Sequence, residues 1–520
     1  MINRLGVENR NINSKYTTSQ RKESVQKEQD TSFKGGGVWG TLLWGIQKCE
    51  ENPMVNVAVI DMFSAILPRT IVESKTNWFA GFEAFRREAS GLVVNCLIPG
   101  AIAWLGAVGL NKFIMPKGSS MASCWADHSL IDRTAEFYKK SNSDDKIKES
   151  FKEILSNLVG VDGKDPVLFK EALKDDIEKY SEQLKELVNS KDKKINFAKE
   201  TKKIAKEMAK KTHSYENLKI NGEKVVKVKS LNGLLEDSVR FFREYQKVSD
   251  KVTIEEFAKK SKKLVKGKSA LGLAIILPLA ASMQYINRWI TEKTSGVKGA
   301  PIYEDFGKEH NEEVRKKSQE GLLKQKIISI SSMIGVSLLS MMKRPAWNML
   351  EFKGWFPTMD QARVISTTTF ASRMAVADDK NELAEATIRD IATFSGLYFL
   401  GDYAGKATAT ILEKRFNEKL LNDFKPLKGN ENSLQKLWHW IKDVNIKSSE
   451  EVLSKKAINL RSACQFANLG VSLLLLGLIV PTWTRNNTKK KHAEMLKQMQ
   501  ETGINNSNSD KKETELAHVS

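Results

Sequence analysis

The hydrophobic and polar positions divide the chain into uncharged apolar runs and long charged segments of helical period. The cleanest run, 89–111 (ASGLVVNCLIPGAIAWLGAVGLN), holds no charged side chain, follows Arg86, Arg87 and Glu88, and ends at Lys112. About twenty apolar residues suffice to cross a bilayer as a helix. Pro99 is tolerable inside such a helix where neighbours re-satisfy the freed carbonyl. A second uncharged run, 462–484, lies between Arg461 and Arg485, with Trp483 where an interfacial anchor belongs. Run 269–287 is interrupted by Pro278, and run 327–342 is short. Run 388–412 is broken by Arg389, Asp390, Asp402 and Lys406, so it serves equally well as a core helix of a soluble bundle.

Residues 127–268 differ. Apolar positions recur at helical spacing, as in Leu130, Thr134 and Phe137, in Phe151, Ile154, Leu155 and Leu158, and in Leu173, Ile177, Tyr180, Leu184 and Leu187. Lys and Glu fill the other faces, which predicts exposed helices that pack one stripe inward. Asn221-Gly222 between β-prone runs predicts a hairpin over 218–228, and 162–166 reads as a turn. Leu234, Leu235, Val239, Phe242 and Tyr245 resume the helical stripe. Upstream, Val55, Val59, Met62, Phe63 and Ile66 share a face of a helix that Pro68 should stop or kink.

These patterns predict an all-α, multi-pass helical membrane protein with an inserted Lys/Glu-rich helical domain carrying one small β-hairpin. The expected regions begin with a disordered tail at 1–37 and, over 38–126, interfacial helices leading into a first span. The basic soluble domain follows at 127–268, then a membrane-associated helical region at 269–412. Residues 413–484 hold soluble helices and the last span, and 485–520 a charged, mostly disordered tail. The polar start lacks the apolar core of a signal peptide, so insertion is expected from the internal runs.

Charge narrows the partners. The 520 residues carry 83 Lys and Arg against 63 Asp and Glu, a net +20, which favours anionic lipid surfaces, nucleic acid or acidic proteins. The basic tracts are interleaved with aliphatics and Glu rather than aromatics, which speaks against nucleic acid. Membrane lipids, and secondarily other helical proteins, are the expected partners. Cys49, Cys96, Cys124 and Cys464 are scattered with no CxxC spacing, against a disulfide framework or zinc site. No HExxH, Walker lysine or GxSxG occurs, so no enzyme chemistry and no cofactor is expected.

Three groups of residues stand out as candidates. Lys259, Lys260, Lys262, Lys263, Lys266 and Lys268 precede the 269–287 run and suit an anionic lipid surface. Their position on the cytoplasmic side, with the domain and the C-terminal tail, conflicts with the basic loop before 327–342. A re-entrant hairpin broken at Pro278, or an interfacial 327–342 segment, removes the conflict. Next, Pro68 through Arg87-Glu88 and Gly91 resembles Ser372 through Arg389-Asp390 and Gly396 in its order of Arg, aliphatics, acid and Ser-Gly, which suggests repeated halves. Arg69 with Glu73, and Arg373 with Asp378 or Asp379, are the expected local pairs. Asp61 and Asp402 are acids in apolar surroundings, the latter between Gly401 and Gly405. The leading functional expectation is a non-enzymatic scaffold or adaptor. The alternatives are a transporter or channel-like protein with Asp61, Arg69, Arg373 and Asp402 along a polar path, or a soluble protein with buried apolar helices.

Overall fold

Asn52 starts the first helix: its side-chain oxygen accepts the Met54 N–H at 3.0 Å, and Pro53 occupies the first turn where no donor is missed. The structure is a computed structural model. It describes residues 52–75, 78–160, 166–190, 196–222, 225–295, 321–341, 350–423, 427, 429–448, 451, 454–484 and isolated positions between 486 and 497. All belong to one unit, Ile46–Ser520. The expectations for both tails, the Trp-rich 38–47 segment, Cys49 and the 162–165 turn lie outside the described residues.

Helix α1 (Pro53–Asp61), a π-helical turn (Met62–Ile66) and α2 (Leu67–Ser74) run as one 21-residue apolar helix, Met54–Ser74. Pro68 neither stops nor diverts it, contrary to the sequence expectation. The π turn absorbs the misfit, and Gly477 packs against the carbonyl of Ser64, four residues before the proline. A Cβ on Gly477 would lie 2.8 Å from that oxygen. The second pass is α3 (Trp78–Leu92), a π turn (Val93–Leu97) and α4 (Pro99–Ile114), bent by 47° at the break. The 89–111 run is therefore not one straight span. It straddles this bend, because Pro99 cannot donate to the preceding turn.

The inserted domain follows: α5 (His128–Lys140), α6 (Lys146–Ser156), α7 (Phe169–Ala172), α8 (Ile177–Asn189), α9 (Phe197–Thr212) and α10 (Leu231–Gln246). Their stripes meet in one core that includes Phe151, Phe169, Leu184, Leu235, Phe242 and Phe257. The hairpin forms as β3 (Glu216–Ile220) and β4 (Val226–Ser230), but within a four-stranded antiparallel sheet of order β2-β1-β3-β4. Strands β1 (Leu158–Gly160) and β2 (Val167–Leu168) were not legible, being only three and two residues long.

Helix α11 (Ile254–Ser295) is 42 residues long and continuous through Pro278. The re-entrant hairpin expected there does not exist. The domain buries Phe257, Leu264 and Val265 of its first half, and the bundle packs its second half. Helix α12 (Leu322–Met341) has 20 residues, longer than the short third run suggested. Helix α13 (Met359–Ala375) and α14 (Lys380–Ser395) come next, then a π turn (Gly396–Leu400) and α15 (Gly401–Phe416). A small excursion holds β5 (Leu421–Asp423), α16 (Ser433–Asp443) and β6 (Val444–Ile446), and α17 (Lys455–Ser472) continues through a last π segment (Leu473–Ile479) to Thr484.

Contacts fix the directions. Arg69 meets Glu88, Arg86 meets Thr291, and Leu110 lies against Gly267, so the first, second and third passes alternate. Ser269 and Ala281 of the third pass meet Phe352 and Ser372, which makes the fifth parallel to the third. Ser337–Thr367 and Lys326–Ala375 set α12 antiparallel to α13. Ser366–Tyr398 and Arg373–Asp390 reverse the sixth pass, and Gly401–Asn468 with Gly405–Cys464 reverse the seventh. The described residues thus form seven alternating passes. The inserted domain stands at one end, beside Ile114 and Lys268, and Ser74, Trp78, Ala375 and Thr484 lie at the other, so the last pass ends opposite the domain and not on the shared side expected for the C-terminal tail. Four of the helices are long and apolar enough to cross a membrane, or up to five if the bent second pass is one span.

Candidate functional site

Charged side chains gather inside the bundle at the end away from the domain. Arg69 on α2 donates to Glu88 on α3 at 2.8 Å. Arg373 on α13 donates to both oxygens of Glu88, at 3.3 and 3.2 Å, and to Asp390 on α14 at 2.8 Å. Arg389 Nε adds a second hydrogen bond to Asp390 at 3.0 Å, and its Nη1 reaches Glu385 at 3.9 Å. The Asp390 side chain is 1% exposed and that of Arg373 6%. Each acid thus holds two arginines, and Arg373 is common to both.

A second cluster adjoins it from α11. Arg288 pairs with Glu382 at 2.5 Å and with Asp378, while Arg87 lies 3.5 Å from Glu83. The Thr291 hydroxyl donates to Glu83 at 2.5 Å. Local sequence places these groups: Asp379 caps α14 by accepting the Asn381 and Glu382 N–H groups at 2.8 and 2.9 Å, which fixes where Glu382, Glu385 and Asp390 point. Among the described residues, Glu83 Oε2, Arg373 Nε and Asp390 Oδ2 are buried without a hydrogen-bond partner.

The structure brings Arg69, Arg87, Glu88, Arg373, Asp378, Arg389 and Asp390 to this end of the bundle, but not in the local pairs read from the sequence. Arg69 meets Glu88 rather than Glu73, and Arg373 meets Glu88 and Asp390 rather than Asp378 or Asp379. Spacing along one helix cannot reveal a partner on the antiparallel neighbour, and these pairs are set by tertiary contact. Among the described residues Glu73 and Asp61 make no ion pair. Asp402 accepts from Asn468 Nδ2 at 3.4 Å. It lies a dozen residues beyond Asp390, about 18 Å along the helix, so it does not continue the network. Glu83, Arg288, Glu382 and Glu385 were missed in the sequence, although Arg288 directly follows an apolar run in the way Arg87 precedes one.

Both halves build their parts alike. In each, an arginine near the end of an outgoing helix meets an acid on the returning pass. That pass then holds a five-residue π turn, Val93–Leu97 or Gly396–Leu400, before a 16-residue helix.

The lysine stretch 259–268 is corrected in part. Lys268 is fully buried, donates to the Cys124 carbonyl at 2.6 Å and lies 3.9 Å from the Trp125 ring centre. Lys260 pairs with Glu256 at 2.7 Å and Lys262 with Asp132 at 2.5 Å. Only Lys259, Lys263 and Lys266 remain exposed, one face of α11. Lys268 belongs to the joint between domain and bundle, where Trp125, Trp104 and Trp355 cluster with ring centres 5.5 and 5.7 Å apart. There Asp237 accepts the Trp125 backbone N–H at 2.8 Å, and burial raises its pKa to about 6. Burial likewise pushes the Cys124 thiol up.

Cys96, Cys124 and Cys464 are buried free thiols, and no cluster of His, Cys, Asp or Glu able to hold a metal occurs among the described residues. No protein family, no curated protein and no solved structure matches this chain.

Proposed function

We propose that this chain is an integral membrane protein whose seven-pass bundle holds a basic helical domain against one face of the bilayer, where it serves as a non-enzymatic scaffold or adaptor. The observation that carries this is the contrast between the two surfaces. The bundle exposes Trp78, Phe113, Ile327, Leu339, Leu474 and Ile479 among many others, and only 11% of the apolar window of Leu322–Met341 is buried. Between residues 127 and 253 the exposed large apolar residues are Leu168 and Val225 alone among those described. A water-facing surface does not carry apolar patches on the scale of the bundle's, and this counts against the soluble alternative. Lys259, Lys263 and Lys266 leave the domain just before α11 enters the bundle. Lys112 and Lys117, also exposed, lie near the same level because Leu110 packs on Gly267. Such a belt suits an anionic leaflet, each cation contributing about 1 kcal/mol. Carbonate extraction should leave the protein in the membrane pellet; release into the supernatant would end the reading.

A transporter is the second reading. It is favoured by the like-built halves with charged groups between them, since parallel repeats commonly place a substrate site at their interface. Asp61 lies on the first pass at the level of the bend in the second. Its test is flux in proteoliposomes that disappears with Asp61→Asn.

A further inference from the structure

On the outer surface of the bundle, α3, the π turn after it and the far half of α11 leave an apolar groove of about 530 Å³. Phe82, Phe85, Val93, Ile98, Leu279 and Met283 line it, and Arg86 is its one charged residue among those described. Arg86 stands in the half of the groove away from the inserted domain, one turn inside Phe82. Trp289 of α11, 59% exposed, stands level with Arg86, and Tyr285, 58% exposed, lies one turn nearer the domain. Exposed Trp and Tyr near one height mark where headgroups meet acyl chains.

Arg86 is held in place but only partly used. Its Nη2 donates to the Asn287 carbonyl at 3.2 Å and to the Thr291 hydroxyl at 2.9 Å. Its Nε is buried with no partner, and Nη1 makes no hydrogen bond among the described residues. The nearest carboxylate, Glu83, is 4.0 Å away and lies closer to Arg87, at 3.5 Å. One acid therefore serves two arginines, and a guanidinium with spare donors faces an apolar channel at headgroup height.

We propose that this groove holds one anionic phospholipid of the surrounding bilayer, with its phosphate on Arg86 and an acyl chain along Val93, Ile98 and Leu279. The proposal rests on the membrane reading above. A planar guanidinium binds a phosphate through paired N–H donors. The uncompensated charge selects a lipid of net negative charge over a zwitterionic one, whose own cation would face Arg86.

The test uses the full-length protein in nanodiscs. Failure to insert would overturn the membrane reading itself; insertion separates that question from the groove. A photoactivatable phosphatidylglycerol should label peptides from α3 and the 279–283 part of α11. Unlabelled phosphatidylglycerol should compete about tenfold better than phosphatidylcholine. Arg86→Gln should abolish that preference, Arg86→Lys should retain most of it, and Ala89→Phe, which fills the groove, should reduce labelling by either lipid. Thermal unfolding in the same discs identifies any variant that has lost its fold. Equal competition by the two lipids, a preference that survives Arg86→Gln in a folded protein, or labelling replaced by cross-links to another protein chain would each overturn the proposal.

Discussion

Among the described residues Arg373 alone hydrogen-bonds both Glu88 and Asp390, so replacing it with methionine tests whether the buried charges hold the passes together. At separations of about 3 Å and an effective dielectric near 20, each contact amounts to roughly 5 kcal/mol of attraction before desolvation is counted. Breaking one partner out of a buried pair typically costs about 3–5 kcal/mol, because the remaining charge stays buried. Here Glu88 keeps Arg69 at 2.8 Å and Asp390 keeps Arg389 at 3.0 Å. The lower end applies, so Arg373→Met should cost about 3 kcal/mol, more than a hundredfold in the folding equilibrium. Methionine retains the packing against Phe370, whose ring centre lies 5.8 Å from the guanidinium. Adding Asp390→Asn removes the matching negative charge and should cost less than the sum of the two single changes, with a coupling of about 1–3 kcal/mol. Reversible unfolding in mixed micelles, followed by tryptophan fluorescence, measures all three. A single variant within about 0.5 kcal/mol of the parent, or strict additivity, would show that water solvates this network and that it is not a clamp.

Burial raises the Asp237 pKa to about 6 from an unfolded value near 3.9, so its contribution to stability is fully present below about pH 4 and is lost as pH rises through 6. Two pKa units bound that change at about 3 kcal/mol; Asp237→Asn, which keeps an acceptor for Trp125, should flatten the thermal-stability slope in that window, and an unchanged slope would assign it elsewhere. Gly100→Ala should destabilise by about 1–3 kcal/mol, since the added Cβ would lie 1.8 Å from the Trp355 carbonyl oxygen and 2.8 Å from its Cα. Gly109→Ala, with nothing within 4 Å, is the control expected to be tolerated. Changing Lys259, Lys263 and Lys266 together to Glu should move a fluorophore at the end of α10 out of reach of a lipid-borne quencher in anionic nanodiscs. Quenching that ignores both the substitutions and added salt would remove the lipid-surface role. Lys268→Met in the same assay should act only through stability.

The sequence by itself determined most of the helices and which of their faces are apolar. Uncharged runs and the 3.6-residue stripes of Phe151–Leu155 or Ile177–Leu184 report local composition, and that is where helix formation and burial are decided; the helical reading overran at Leu158, which opens β1, and at Leu173, which lies before α8. Asn221-Gly222 marks where β3 ends, so the β3–β4 hairpin was legible too, although Ile220 pairs with Val226 and the strands are not joined by a two-residue turn. The fates of the prolines were not legible: Pro68 and Pro278 sit within continuous helices and Pro99 lies at a bend, and for Pro68 it is the packing of Gly477 that covers the freed carbonyl. Tertiary structure alone also chose the ion pairs. Arg69 and Glu73 are one turn apart on a helix, yet the antiparallel neighbour brings Glu88 to 2.8 Å. It likewise took Lys268 out of the lysine face by folding Trp125 over it. Periodicity reports which side of a helix is apolar; which neighbour covers that side depends on distant parts of the chain meeting, and no local pattern encodes that.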